Sequence, residues 1–227
     1  MIFVKKVALF DIDKTLLQSK HGHRPSFCFA FKNVYGVDVN INEIKHPGFT
    51  DKLIFYDILK KHGLTEEEIE KKLDEGIKAM IDHYFREYNK EEVVVYDGVI
   101  DVLKFLKEKG VLLGIITGNV EPIAWAKLKK GNIDKFFSFG AFGSDAIQRP
   151  DIVKIAIERA RKLGFTGSNK DVYVFGDSPR DVLAAKAAGA TVIGMATGYS
   201  SVDELKEAGA DYVFENWKDE RILLIFD

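Results

Sequence analysis

Three short apolar runs, each breaking off at small polar or acidic residues, constrain this chain more than any other feature. Val7-Ala8-Leu9-Phe10 runs into Asp11-Ile12-Asp13, residues 111–116 run into Thr117-Gly118-Asn119, and Val172-Tyr173-Val174-Phe175 runs into Gly176-Asp177-Ser178. Near-continuous apolar runs of this length read as strands buried on both faces. Residues 136–139, 191–196 and 212–214 are weaker strand candidates. Amphipathic helical patterns lie between these runs: Val99, Val102, Leu103 and Leu106 share one face, and Ile152, Ile155, Ala156 and Leu163 mark another. Alternating strands and helices predict an α/β fold, a parallel sheet with helices on both faces, in which ligands collect beyond the carboxyl ends of the strands. The three polar strand endings then share one edge.

Residues 17–95 break the alternation. No buried strand interrupts this helical, charge-rich stretch, typified by Thr65-Glu66-Glu67-Glu68-Ile69-Glu70-Lys71-Lys72-Leu73. It is too long for a crossover loop, and it reads as a small helical domain inserted after the first strand. The core is then residues 1–16 and 96–227. With 46% hydrophobic and 30% charged residues, the chain is an ordinary globular mix that can bury a core without staples. Cys28 is the only cysteine, which excludes an intramolecular disulfide and fits a reducing, cytoplasmic compartment. The N-terminal Met1-Ile2-Phe3-Val4-Lys5-Lys6 does not read as a cleavable leader, and no apolar run is long enough to span a membrane. Net charge is −2 with basic and acidic residues interspersed, so no nucleic-acid footprint is visible.

Asp11 and Asp13 stand two apart at a strand end, a spacing that sends both carboxylates to one side and Ile12 to the other. Taken alone, the pair could equally be a turn cap beside a solvated acid. Asp177 lies at another strand tip, and Asp181 follows within Asp177-Ser178-Pro179-Arg180-Asp181. Ser178 suits a helix N-cap, Pro179 the first helical position, and Asp181 a capping box, so Asp181 has a structural reading as good as a functional one. If the strand tips converge, four carboxylates meet, which a hard cation would make tolerable. Oxygen ligands without thiolates favour Mg²⁺. Thr117-Gly118-Asn119 offers a hydroxyl and backbone N–H groups suited to phosphate oxygens, or else an ordinary Gly-Asn turn. Arg149, ahead of Pro150 at the next helix start, is either a phosphate clamp or a solvated surface residue.

Asp11-Ile12-Asp13-Lys14-Thr15-Leu16 resembles the first motif of the haloacid dehalogenase superfamily, and three further signals follow in the family's order. The resemblance implies a Rossmann-like core and a nucleophile at Asp11 with a general acid/base at Asp13. It places the second motif at Thr117, the third at Arg149, and the fourth, similar to Gly-Asp-x-x-x-Asp, at Asp177 and Asp181. The insert is similar to the helical cap of phosphoglycolate-phosphatase-like members, and Gly48-Phe49-Thr50-Asp51 resembles a cap segment of that subgroup. Two positions depart from the pattern: Lys14 stands where Gly is commoner, and Arg149 where Lys is commoner.

The implied reaction is hydrolysis of a small phosphorylated metabolite through an aspartyl phosphate on Asp11. Mg²⁺ would be held by Asp11, Asp13 through its backbone carbonyl, Asp177 and Asp181, with the transferring oxygens held by Thr117, Gly118, Asn119 and Arg149. Asp13 would protonate the leaving oxygen and later deprotonate water. A haloacid dehalogenase needs neither that acid nor a metal, so Asp13 and Asp177 together favour phosphate. A sugar-phosphate mutase stays open, because chemistry of the cap decides it. A receiver-like phospho-acceptor lacks a large insert after its first strand. The loop Lys20-His21-Gly22-His23-Arg24 either presents cations to a second anionic group or is an exposed hinge.

Overall fold

A computed structural model of the chain describes residues 4–44 and 46–227; Met1 to Phe3, part of the segment read above as carrying no leader, and Lys45 lie outside the described residues. The first apolar run forms β1 (Val7–Phe10), followed by a short strand β2 (Leu17–Lys20). Three helices come next: α1 (His23–Ala30), extended by a π-helical turn over Phe31–Tyr35, α2 (Asp51–Lys61) and α3 (Glu66–Arg86). Strand β3 (Glu92–Val95) returns antiparallel to β2, pairing Leu17 with Val95 and Lys20 with Glu92. After α4 (Val99–Glu108) the chain alternates: β4 (Leu112–Ile116), α5 (Glu121–Lys130), β5 (Phe139–Ala141), α6 (Arg149–Lys162) and β6 (Val172–Gly176). It closes with α7 (Pro179–Ala187), β7 (Thr191–Met195), α8 (Val202–Glu207), β8 (Tyr212–Phe214) and a single-turn α9 (Arg221–Leu224).

Six strands make one parallel sheet in the order β5-β4-β1-β6-β7-β8. Strand alternation divides its side chains between two cores. Ala8, Phe10, Leu113, Ile115 and Phe175 pack with Val102, Leu103 and Leu106 of α4, whereas Val7, Leu9, Val172 and Val174 pack with α6 and α7. The predicted α/β layering therefore holds, with β1, β4 and β6 side by side and their polar endings on one edge. Two local expectations fail. Residues 134–136 form a 3-10 turn, held by Phe136 N–H to Ile133 C=O and Phe137 N–H to Asp134 C=O, so the strand expected over 136–139 is displaced to Phe139–Ala141. The helix that was to carry Leu163 on its apolar face stops at Lys162, and Leu163 is half exposed.

The helices between β2 and β3 build a third core from Phe27, Phe31, Phe55, Ile58, Ile69, Leu73 and Met80, which also takes in Val120, Ile123 and Ala126 from α5 and the residue before it. Thr65 caps the start of α3, and Glu68 returns the bond in a reciprocal capping box. Among the described residues no helix is long and apolar enough to cross a membrane.

Gly76 lies inside α3, where glycine is less favourable than alanine by about 1 kcal/mol. Close packing explains its presence: a Cβ there would fall 2.7 Å from the Phe55 ring and 2.9 Å from that of Tyr35. Gly76→Ala is expected to destabilise the protein despite the gain in helix propensity, by about 1–2 kcal/mol of overpacking. Urea unfolding reads this as a lower midpoint; a raised midpoint would mean that the rings yield.

Candidate active site

Asp11 follows the last residue of β1, and its N–H donates to the Phe175 carbonyl at 3.0 Å, so pairing with β6 fixes its place. Its carboxylate is buried against two others: oxygens of Asp11, Asp177 and Asp181 lie within 4.8 Å of one another. The Arg149 guanidinium is the cation bonded into this cluster. It donates to Asp11 Oδ1 at 2.6 Å and pairs with Asp181 Oδ1. Arg149 occupies the first turn of α6, with Gln148 before it and Pro150 after it, and only 7% of it is exposed. The surface reading of Arg149 is thereby excluded.

Asp181 takes the capping-box place the sequence offered and also pairs with Arg149. Its Oδ2 accepts from the Ser178 N–H and hydroxyl, completing the capping box of α7, while Oδ1 faces Arg149. Among the described residues, Asp11 Oδ2 and Asp177 Oδ1 are engaged by the Thr15 hydroxyl alone, at 3.4 and 3.3 Å.

Burial pushes the Asp11 carboxyl up to about 7, with Asp181 and Asp13 adding to the rise and Arg149 opposing it. Burial likewise pushes Asp177 up to about 8, helped by Asp181 and Asp11. Three carboxylates and one guanidinium leave a buried excess of negative charge that only protons or another cation can relieve. The donor set is all oxygen and holds no thiolate, which suits a hard divalent cation.

Asp13 parts company with Asp11. The chain leaves the strand after Phe10, Lys14 turns into the left-handed region at φ 67°, and Asp13 bridges to Leu17. A family preference for Gly at position 14 fits this backbone, since a left-handed turn carries no penalty for a residue without Cβ. The Asp13 carboxylate stands outside the acidic cluster and accepts from Lys127 Nζ at 2.6 Å and from the Asn119 amide at 2.8 Å. Burial acts to raise its carboxyl, but the Lys127 ammonium and the hydrogen bonds from Lys127 and Asn119 outweigh it and hold Asp13 below the usual carboxylate range.

Thr117 and Asn119 follow β4 next to β1, and both are buried. Thr117 Oγ1 accepts from the Asn119 backbone N–H at 3.2 Å and its side-chain amide at 2.8 Å. Both hydroxyl lone pairs are then used, and the Thr117 hydrogen is left to donate. The Gly118 carbonyl accepts from the Asp51 N–H at 2.8 Å, and a Cβ at Gly118 would collide with the Phe49 carbonyl. Gly48-Phe49-Thr50-Asp51 thus reaches the strand tip, where the Thr50 hydroxyl also donates to the Ile147 carbonyl at 2.8 Å.

Thr15 and Lys127 bond to these residues without having been singled out from sequence, and His23 was read only as part of the Lys20–Arg24 loop. Thr15 sits inside the first motif. Lys127 lies on the apolar face of α5 with Ile123, Ala124 and Leu128, and a lysine on an apolar stripe was the available signal. The Lys20–Arg24 loop does not act as one cationic patch: His21 is exposed, Arg24 pairs with the Ile41 carbonyl, and His23 turns inward to Asp51 and Lys127. Beside them Glu91 is buried, both its oxygens without a hydrogen-bond partner among the described residues, and burial raises its carboxyl.

Known proteins give this arrangement a family. The chain is 27% identical to phosphoglycolate phosphatase of Salmonella paratyphi A over 143 residues, which is 63% of this chain and 56% of that enzyme. It therefore spans little more than half the length of that relative. A Clostridium perfringens protein provisionally named pyrophosphatase PpaX is 28% identical over 212 residues, 91% of each chain. Among solved structures, a hydrolase from Pseudomonas syringae superimposes with a TM-score of 0.73 at 23% identity, covering 97% of this chain and 98% of that one. CbbY from Rhodobacter sphaeroides in complex with phosphate gives 0.67 at 22% identity, covering 96% of each. These two share the fold. Residues 8–195 match the model of the haloacid dehalogenase-like hydrolases, well over half of the sequence and all the strand tips described above, and the chain belongs to that family.

Proposed function

We propose that the protein is a Mg²⁺-dependent phosphatase that takes the phosphoryl group of a small phosphate monoester onto Asp11. The observation that carries this reading is Asp11 itself: a buried carboxylate with Arg149 on one oxygen and two further buried acids within 4.8 Å. Asp11, Asp177 and the backbone carbonyl of Asp13 are the residues that would hold the metal, with Asp181, both of whose oxygens already accept bonds, a more distant partner. Bound there, Mg²⁺ would offset the acids' charge and the repulsion between nucleophile and phosphate dianion.

The chain's own groups supply the remaining steps. Asp11 attacks phosphorus in line, while the Thr117 hydroxyl, the Gly118 N–H and Arg149 hold the transferring oxygens. The Gly118 N–H suits this role, since it has no acceptor among the described residues. Asp13 gives a proton to the leaving oxygen, and the negative charge of an incoming phosphate raises its affinity for that proton. After the leaving group departs, the Lys127 ammonium favours the ionised form of Asp13, ready to deprotonate the water that cleaves the aspartyl phosphate. We assign residues 17–95 as a cap over this edge, because β2 and β3 form a two-strand hinge at its ends and the Gly48 to Asp51 loop reaches Gly118. Similarity to phosphoglycolate phosphatases favours a small, acidic monoester.

A panel of phosphorylated metabolites, assayed for released inorganic phosphate with Mg²⁺ and with chelator, tests the reading directly. Turnover should require the metal; full activity in chelator would sink the site model, and isomerisation without phosphate release would make the protein a mutase. The metal-free protein should also show a pH signature. Asp11 and Asp177 bind protons more tightly when folded than their ordinary value of 3.8, so their contribution to stability is whole below that value and is lost as pH rises through about 7 and about 8. In chelator the melting temperature should therefore fall between about pH 5 and about pH 9, and Mg²⁺ should raise it most at the alkaline end. A melting temperature flat across that range would show that the acids are not forced together.

The two aspartates should separate by leaving group. Asp13→Ala is expected to lose on the order of 10²–10⁴-fold on an alkyl phosphate, while an activated aryl phosphate still transfers to Asp11 in a burst. Asp11→Ala should give neither burst nor covalent label. Equal loss on both esters without a burst would reduce Asp13 to a structural role.

A further inference from the structure

Lys127 has 1% of its surface exposed, and its ammonium is enclosed by protein. A buried ammonium is tolerated only where acceptors take its protons. Here there are three: Asp13 Oδ2 at 2.6 Å, Asn119 Oδ1 at 2.7 Å and His23 Nδ1 at 3.2 Å. All three N–H bonds are thus spent inside the protein, which leaves none for substrate. Donation to Nδ1 fixes the His23 proton on Nε2, and that N–H donates to Asp51 Oδ2 at 3.2 Å. The Asp51 oxygen also accepts the Val120 N–H at 2.8 Å, at the start of the helix that carries Lys127. The loop of bonds closes on itself.

We propose that Lys127 is a positioning residue that sets two reacting groups at once. By direct contact it turns Asp13 Oδ2 toward one orientation. By taking Asn119 Oδ1 it fixes which end of that amide is which, so that the NH₂ end points to Asp13 and Thr117. The amide fills the Thr117 lone pairs and leaves the hydroxyl hydrogen to donate. Without Lys127 the Asn119 amide is free to flip, Thr117 can turn from donor to acceptor, and Asp13 loses its fixed rotamer. His23 and Asp51, from the start of α1 and α2, hold the ammonium in register. The inserted helices therefore contribute to the site by holding Lys127. This inference rests on the phosphatase reading for its kinetic consequences, and on geometry alone for its structural ones.

Lys127→Met keeps the length and bulk of the side chain and removes the ammonium. On an alkyl phosphate its kcat should fall on the order of 10²-fold, the low end of general acid–base catalysis, with KM within about threefold. In an Asp13→Asn background the same change should cost less than about threefold, because the group it positions is already disabled. A fall in kcat that is equal in both backgrounds, or a loss confined to KM, overturns the proposal. A second readout needs no activity. In the wild-type protein both Asn119 amide hydrogens are bonded, and their exchange with solvent, followed by NMR, should be at least about tenfold slower than in Lys127→Met. Unchanged exchange overturns the proposal as well. If Lys127→Met does not fold, His23→Gln, one link outward, takes its place with the same two readouts and the same signs. Should the wild-type protein hydrolyse no phosphate ester, the functional reading fails, and amide exchange still decides whether Lys127 positions Asn119.

Discussion

The contact on which this structure turns is the guanidinium of Arg149 between Asp11 and Asp181. Removing one partner from a buried charge cluster typically costs about 3–5 kcal/mol, because the charges left behind have no other compensation. Here Arg149 bonds two of three clustered carboxylates, so the arrangement of the strand tips and the orientation of α6 depend on it. The fork of Arg149 suits this task better than an ammonium would. Its two edges reach two carboxylates in fixed directions, and it stays charged at any working pH. The departure from a family lysine at this position is consistent with a structure in which one cation must bind both the first and the fourth motif.

The same cluster also explains why α7 begins where it does. Ser178 and Asp181 cap the helix reciprocally, and the cap turns Asp181 back toward Arg149. Gly176, just before, leaves room that a Cβ would take from the Asp181 side chain. Helix capping and charge pairing are thus one feature, since a carboxylate that satisfies the orphan N–H groups of a helix start is also held rigidly for a guanidinium.

Much of this was legible in the sequence. Short apolar runs gave the parallel sheet, because burial on both faces leaves little else for a strand of that composition to do. Their polar endings marked the edge on which Asp11, Thr117, Arg149, Asp177 and Asp181 meet. What the sequence left hidden was partnership. Asp11 and Asp13, two apart, read as a pair, yet a left-handed turn at Lys14 follows the strand and Asp13 bonds to a lysine more than a hundred residues away. Lys127 itself stands in Lys127-Leu128-Lys129-Lys130, where nothing in composition separates the one buried lysine from its neighbours. Only its position on the stripe of Ile123, Ala124 and Leu128 does so. The strand expected at 136–139 failed for a related reason: aromatic residues anchor a 3-10 turn as readily as they fill a strand.

The two aspartates of the first motif therefore face two environments with opposite charge balance. Asp11 lies among acids with one guanidinium, and its carboxyl is pushed up; Asp13 lies against an ammonium and an amide, and its carboxyl is held down. On the proposed mechanism this division has a logic. The nucleophile's side is unsatisfied until a cation and a phosphate arrive, so binding energy there goes into relieving repulsion. The acid/base side is satisfied in advance by hydrogen bonds that run from Asp13 through Lys127 and His23 to Asp51. The first side draws its residues from the strand tips and from α6 and α7 of the core. The second draws His23 and Asp51 from helices inserted between β2 and β3. Sequence change in the inserted helices can then alter the leaving-group side directly, and it reaches the phosphoryl-binding side through Asn119, whose amide links Lys127 to Thr117.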